Sequence, residues 1–412
     1  MTRAFARLWL ASLFCECAEW MLQIALPVFI YQATGSASST ALAMVAGVLP
    51  MILLSPVAGF VADRWDRGRT LSLVSLGQAL AAVPLLVTDS AWLIYVVMVS
   101  QSAAATLFEP ARTALVPYVV AKGKVVAANG WMGFNSSGAR LLGSSLGGIT
   151  LATGGLSTVV ISYLILLALT TALLLKKFEV RAAPKLRHRI WRAWLDGLAE
   201  FRRERRLKTI GLTLALGSLA QGMFLVLFVV FVTGPLGGGE AEVGLLRGVQ
   251  AIGGLIAGLA IGASLVRRIS PEIMCAVGGL GVGVMTFTIW HMPALTTSLP
   301  VYFVLFGITG APGIFFMSGS ITVLQTAGVP EKSGRVLAST MAFMALFQAI
   351  GMLIAGPLAD VWSLTRLLEV QAVLMISTGL PALLSLWYAR RGGQRRAATT
   401  SSGTTERPSL GH

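Results

Sequence analysis

Charge is what this chain has least of. Only 12% of its 412 residues are Asp, Glu, Lys or Arg, roughly half the share of a soluble globular domain. Acidic residues are the scarcer kind, 17 against 32 basic ones. The histidines are His188, His291 and His412, too scattered to form an acid–base or metal site. The cysteines, Cys15, Cys17 and Cys275, all lie in or beside apolar stretches. They are too few for a disulfide framework, the first two lack metal-site spacing, and they read as small packing residues. No nucleotide-binding loop of the form G-x-x-x-x-G-K-[ST] occurs, so ATP is not the expected energy source. These absences leave no enzyme site to expect, no metal and no cofactor.

Apolar sequence fills the space. Hydrophobic residues make up 55% of the chain, and mean hydropathy is +0.78. Twelve runs approach the ~20 residues that cross a bilayer as a helix. They cover 8–32, 39–62, 70–88, 91–111, 128–152, 156–176, 208–233, 243–266, 272–291, 300–326, 336–358 and 367–389. A net charge of +15 would suggest nucleic acid in a soluble protein; its placement argues otherwise. With the runs alternating across a membrane, 29 of the 32 Lys and Arg fall on one side, the exceptions being Arg140, Arg247 and Arg366. The positive-inside rule then puts both termini in the cytoplasm and makes the number of spans even. Arg3 and Arg7 lead straight into a full-length span, which does not fit a cleavable signal peptide.

The expected fold is an all-α polytopic membrane protein with twelve transmembrane helices in two pseudo-symmetric six-helix bundles, sited in a bacterial inner membrane. Residues 1–176 and 208–391 form the bundles, 177–207 a basic cytoplasmic linker, and 392–412 a disordered cytoplasmic tail rich in Ser, Thr, Gly and Arg. The linker's arginines and its Trp191 and Trp194 suit an orientation determinant lying on anionic lipid. The halves echo each other: an offset of 202 superposes Met223 on Met21, Phe231 on Phe29 and Gln221 on Glu19. Duplicated six-helix halves are a transporter architecture, with substrate held at the midplane between them.

Between the second and third runs, the eleven residues Gly59–Arg69 carry five charges, more than a connecting turn requires. Here the chain resembles the major facilitator superfamily, whose loop signature is written G-x-x-x-D-R-x-G-R-R. Gly59, Asp63, Arg64 and Arg67 match; Asp66 stands in place of the second Gly, and Gly68 follows one position along. The variant is similar to the branch of enterobactin-type siderophore exporters and macrolide efflux proteins. So are Ala25–Tyr31 closing the first span, and Pro110–Pro117 with Ala127-Ala128-Asn129 before the fifth.

The resemblance implies a cytoplasmic latch. Asp63 would cap a second-half helix and pair with Arg64, Arg67 and Arg69, holding the inner side shut while the outer side is open; a carboxylate at a helix N-terminus contributes about 0.3–2 kcal/mol. The fifth span resembles the antiporter motif of exporters, G-x8-G-x3-G-P-x2-G-G. Gly130, Gly143, Gly147 and Gly148 match it, while Ala139 and Ser144 replace a Gly and the Pro. Small residues four apart also make a close packing seam between helices.

Ionisable groups inside spans are costly and mark function. Glu16 and Glu19 are three apart in the first span, on one helical face. Glu19 also matches a position where the family commonly has an acidic residue. Such carboxylates can exchange a proton for substrate, or they can be structural, hydrogen-bonded or paired with Arg140. Arg140, alone in the fifth span, is expected to be their counter-ion, with an anion ligand as the alternative. Gln221, with Gln250, Gln325, Gln348, Trp20, Phe224 and Phe228, is a candidate cavity residue. Glu109 is expected to pair with Arg112 or with neighbouring basic residues, and Asp360 to cap the turn at the outer end of its own span beside Arg366. The arginine that many proton antiporters carry in the fourth span is absent from Ala91–Leu107.

The resulting expectation is a monomeric secondary transporter that exports a drug, antibiotic or siderophore by alternating access, coupled to protons, in contact with membrane lipids and with no nucleic acid. A lysophospholipid-type facilitator and a transport-inactive membrane sensor or scaffold are the alternatives.

Overall fold

The computed structural model describes residues 2–54, 66–121, 124–176, 204–262, 269–326 and 333–381. Every regular element among them is helical. Helix α1 (Arg3–Thr34) begins where the Thr2 hydroxyl accepts the Phe5 N–H, and ends at Gly35, whose φ of 64° is open to glycine at little cost. Helix α2 (Ala37–Ala46) is capped by Ser36 and resumes over 49–54 after a turn. Helix α3 (Arg67–Ala82) is capped by Asp66, which accepts the Arg69 N–H at 2.8 Å. Next come α4 (Ala91–Val119) and the 51-residue α5 (Val125–Leu175).

Helix α5 is two spans in one. At Gly155, φ 66° and ψ −168° break it, and the arms run back alongside each other. Trp9 donates to the Trp131 carbonyl at 2.9 Å in one arm, while Arg7 donates to the Lys176 carbonyl at 2.8 Å just past the other. Both partners lie near the start of α1, so the chain must reverse between them.

The second half comprises α6 (Arg205–Thr233), α7 (Glu240–Gly262), α8 (Pro271–His291), α9 (Leu299–Thr326), α10 (Ser333–Val361) and α11 (Leu364–Ser377). Ten helices among the described residues are long and apolar enough to cross a membrane, α5 counting once. The twelfth predicted run is described only as α11. The fourth differs from expectation at its end: α4 continues eight residues beyond Ala111, through Pro110 and Pro117. Proline is tolerated in such helices where neighbours satisfy the freed carbonyls. That extension draws Arg112 into the bundle, where it is buried.

Close helix contacts repeat between halves. In the first, α1 lies on the first arm of α5, with Met21 against Gly147; in the second, α6 lies on α10, with Met223 against Gly351. The halves meet where the first arm of α5 crosses α7 and where α2 crosses α10. A Cβ on Gly148 would stand 2.9 Å from the Gly244 Cα, and one on Gly356 would stand 2.5 Å from the Ala41 Cβ. Backbones can come this close only where side chains are absent or small.

Candidate functional site

A cavity of about 290 Å³ lies between the halves. Ser137 and Arg140 of α5 reach it from the first half; α6, α7, α8, α9, α10 and α11 form the remaining wall. Gln221, Gln250 and Gln348 line it, as does Phe224. Gln325, Trp20 and Phe228 are not on its wall: Phe228 is stacked beneath Phe224 at 5.4 Å, and Trp20 lies under the Arg140 guanidinium at 5.4 Å. Gln371 and Arg247 are among the wall residues for which the sequence suggested no cavity role. Gln371 accepts the Trp290 indole N–H at 3.0 Å. Arg247, buried on α7, donates to Gln250 Oε1 at 2.8 Å. Its signal was available, since it is one of the few basic residues off the positive side and sits three before Gln250 on one helical face.

The structure corrects the expected pairing of Arg140. Its guanidinium donates to the same Gln250 Oε1, at 2.8 Å, and not to Glu16 or Glu19. The counter-ion of Glu16 is Arg112, which also holds Glu109 at 2.6 Å. The extra length of α4 is the physical reason, because it lifts Arg112 to the level of Glu16. The Glu109–Arg112 pair is as expected. Glu19 accepts the Gln78 amide at 3.1 Å and lies within sulfur hydrogen-bond reach of Cys15 at 3.8 Å. It lines a second, small cavity of about 50 Å³ beside Gln23, Gln101 and Ser102. Among the described residues no cation pairs with it.

Asp360 also differs from expectation. Instead of closing its own turn, it receives the N–H of Ala37 at 2.8 Å and of Ser38 at 3.1 Å, together with the hydroxyls of Ser36 and Ser38. The last turn of α10 in one half thus caps the start of α2 in the other. A sequence signal existed: Gly356-Pro357-Leu358-Ala359-Asp360-Val361-Trp362 repeats the Gly, Ala, Asp and Trp of Gly59-Phe60-Val61-Ala62-Asp63-Arg64-Trp65 at the same spacing. Of the expected latch, Gly59, Asp63 and Arg64 lie outside the described residues, as does the Arg67 side chain. Arg69 is exposed in the first turn of α3.

The glycine motif divides. A Cβ on Gly143 would meet the Trp20 Cβ at 2.8 Å, one on Gly147 would meet the Met21 Cα at 3.0 Å, and Gly148 faces Gly244. Gly130 packs against nothing within 4 Å, nor do Gly133 and Gly138. Gly130 is therefore not part of the seam. It sits in the first turns of α5, on a side of the arm turned away from the α1 contact that Trp131 makes with Trp9.

A family model described as Major Facilitator Superfamily matches residues 8–352. The multidrug efflux pump Tap of Mycobacterium tuberculosis (strain ATCC 25618 / H37Rv) is 27% identical over 407 residues, covering 90% of this chain and 91% of its own. Macrolide efflux protein A of Streptococcus pyogenes is 21% identical over 374 residues, covering 86% and 89%. Among solved structures, a POT family transporter in complex with a thioalcohol-conjugated peptide superposes with a TM-score of 0.77 at 12% identity, covering 94% of this chain and 96% of that one. At that identity the likeness is one of fold. Helical halves meeting around a central cavity, and a family match over most of the chain, agree: this is a multi-pass membrane transporter of the major facilitator superfamily.

Proposed function

We propose that the protein exports a small organic molecule from the bacterial cytoplasm by alternating access, using an inward flow of protons. The observation that carries the reading is the central cavity, walled by both halves and lying near the level where their close contacts end. On the α5–α7 seam those contacts run from Gly148 to Gly248, whose Cβ would meet the Leu141 carbonyl at 2.8 Å. Asp360 adds its contacts to Ala37 and Ser38 on the α2–α10 seam. With the linker and both termini cytoplasmic, the Asp360 end is the outer end. Three glycines of α5 nearer the linker end, Gly130, Gly133 and Gly138, face open space, which supports an arrangement shut outside and accessible from inside.

Glu19 supplies the proton site in this reading. Its carboxylate lies inside the helical bundle facing the Gln78 amide, with no cation beside it among the described residues, and is therefore not locked in an ion pair. Glu16, tied to Arg112, is the structural member of the two. The efflux activities named for the Tap and macrolide relatives support an outward direction and drug-like cargo. The protein works as a monomer in the inner membrane.

The test uses proteoliposomes with the linker side facing outward. Ethidium, erythromycin and the anion dansylglycine are offered outside with an acidic lumen; at least one should accumulate inside and stop doing so when the pH gradient is collapsed. Equal accumulation with and without the gradient overturns the coupling, and no accumulation of any compound offered overturns the transport reading.

A further inference from the structure

We infer that the central cavity recognises the negatively charged group of an organic anion, clamped between Arg140 and Arg247. This rests on the transporter reading and names the class of cargo for its cavity.

Two guanidinium groups face one another here with too little to hold them. Both donate to a single neutral acceptor, Gln250 Oε1, each at 2.8 Å, so their nitrogens stand within two hydrogen-bond lengths. Each guanidinium carries five N–H donors and keeps its charge throughout the physiological range. Apart from Gln250, the partners in view are aromatic faces: Trp20 lies 5.4 Å from the Arg140 carbon and Phe224 5.4 Å from that of Arg247. The Arg140 Nε is buried with no partner at all. Among the described residues neither arginine is paired with a carboxylate, and no Asp or Glu lines the cavity. The contrast with the buried Arg112 and the half-buried Arg206 is internal to the molecule. Arg112 is held by Glu16 and Glu109, and Arg206 by Glu272.

Two like charges brought together out of water repel each other and lose hydration, so a fold that keeps them requires a compensating anion. Guanidinium forks match carboxylate, phosphate and sulfonate oxygens in pairs, and Gln250 marks where such an oxygen would sit. The remaining wall offers amide groups from Gln221, Gln348 and Gln371 beside Phe316, Met317 and Met344. That mixture fits an organic body attached to the anionic head. The proton site at Glu19 is separate from the clamp: it lines the other cavity, with other residues.

The experiment titrates the full-length protein in lipid nanodiscs with three fluorescent probes of one scaffold: dansylglycine, the neutral dansylglycinamide, and the cation dansylcadaverine. Dansylglycine is expected to bind at least about tenfold more tightly than either of the others, about 1.4 kcal/mol of preference. Arg247→Gln or Arg140→Gln should remove that preference, and Arg140→Lys should keep part of it. Equal or tighter binding of the neutral or cationic probe overturns the inference, as does absence of dansylglycine binding up to millimolar concentration. The wild-type series decides even where a variant fails to fold. Gradient-driven ethidium uptake with no anion preference overturns the clamp and leaves the transporter reading intact. Anion binding lost in the arginine variants, without flux of any probe, supports the clamp and counts against transport.

Discussion

Asp360 and Ala37 are 323 residues apart in sequence, yet the carboxylate of one takes the N–H of the other at 2.8 Å. The contact joins the two halves at a helix start, where unsatisfied N–H groups and the positive end of the helix dipole favour a carboxylate. Removing a capping side chain costs about 0.5–2 kcal/mol. If the contact exists only while the outer end is closed, Asp360→Ala moves the closed-to-open ratio by roughly 2- to 30-fold. Spin labels at Ala33 and Thr365, both exposed, should show a larger long-distance population in the variant. Asp63→Asn, at the matching position of the repeated heptapeptide, should shift the same distribution the other way. Unchanged distances in both variants would remove these aspartates from gating.

The glycines of α5 predict opposite responses to added bulk. Gly148→Val drives a branched side chain into the Gly244 backbone, which cannot rotate away, and overpacking of this kind costs about 1–3 kcal/mol. A lower Tm in detergent and a wider outer end follow. Gly130→Ala meets no atom within 4 Å and gains helix propensity of up to about 1 kcal/mol. Its Tm should hold or rise. A Gly130 variant as damaging as the Gly148 variant would contradict the seam as drawn.

The Glu16–Arg112 pair predicts non-additivity. Its side chains are 13% and 7% exposed, so removing Arg112 leaves Glu16 buried without a counter-ion, at about 3–5 kcal/mol for a buried pair. Arg112→Gln alone should therefore destabilise strongly, whereas Glu16→Gln with Arg112→Gln should recover most of the loss. Thermal or denaturant unfolding of the two singles and the double completes the cycle. Simple addition of the single effects would show that the ions do not act as a pair.

Residues such as Asp63 and Asp360 show what the sequence could and could not convey. Crossing-length apolar runs separated by charged turns made the helices legible, and even the break at Gly155 fell in the gap between two predicted runs. Helix ends were less legible, because Pro110 looks like a terminator when tertiary neighbours are out of view, and this misplaced Arg112. Its misplacement in turn assigned Arg140 to the wrong partner. Partners across the two halves depend on how the bundles lean together, which no local pattern encodes. So Arg247 and Gln250 could be seen as a helical pair while their meeting with Arg140 could not. The Asp360 contact was equally hidden, although its heptapeptide repeat pointed to a role like that of Asp63.

Glu19→Gln isolates the proton step. Glutamine keeps the size and the acceptor oxygen facing the Gln78 amide, so the small cavity beside Gln23 and Gln101 retains its shape while the exchangeable proton is lost. With no proton to release, the variant should return between its two conformations only with cargo bound. Gradient-driven accumulation in proteoliposomes should fall to background, while cargo binding and cargo-for-cargo exchange remain near the wild-type level. Glu16→Gln, which leaves Arg112 with Glu109 alone, should instead lower thermal stability and affect coupling less. Full accumulation by Glu19→Gln would move the proton site elsewhere, with Glu109 at the exposed end of the Arg112 pair the next carboxylate to substitute.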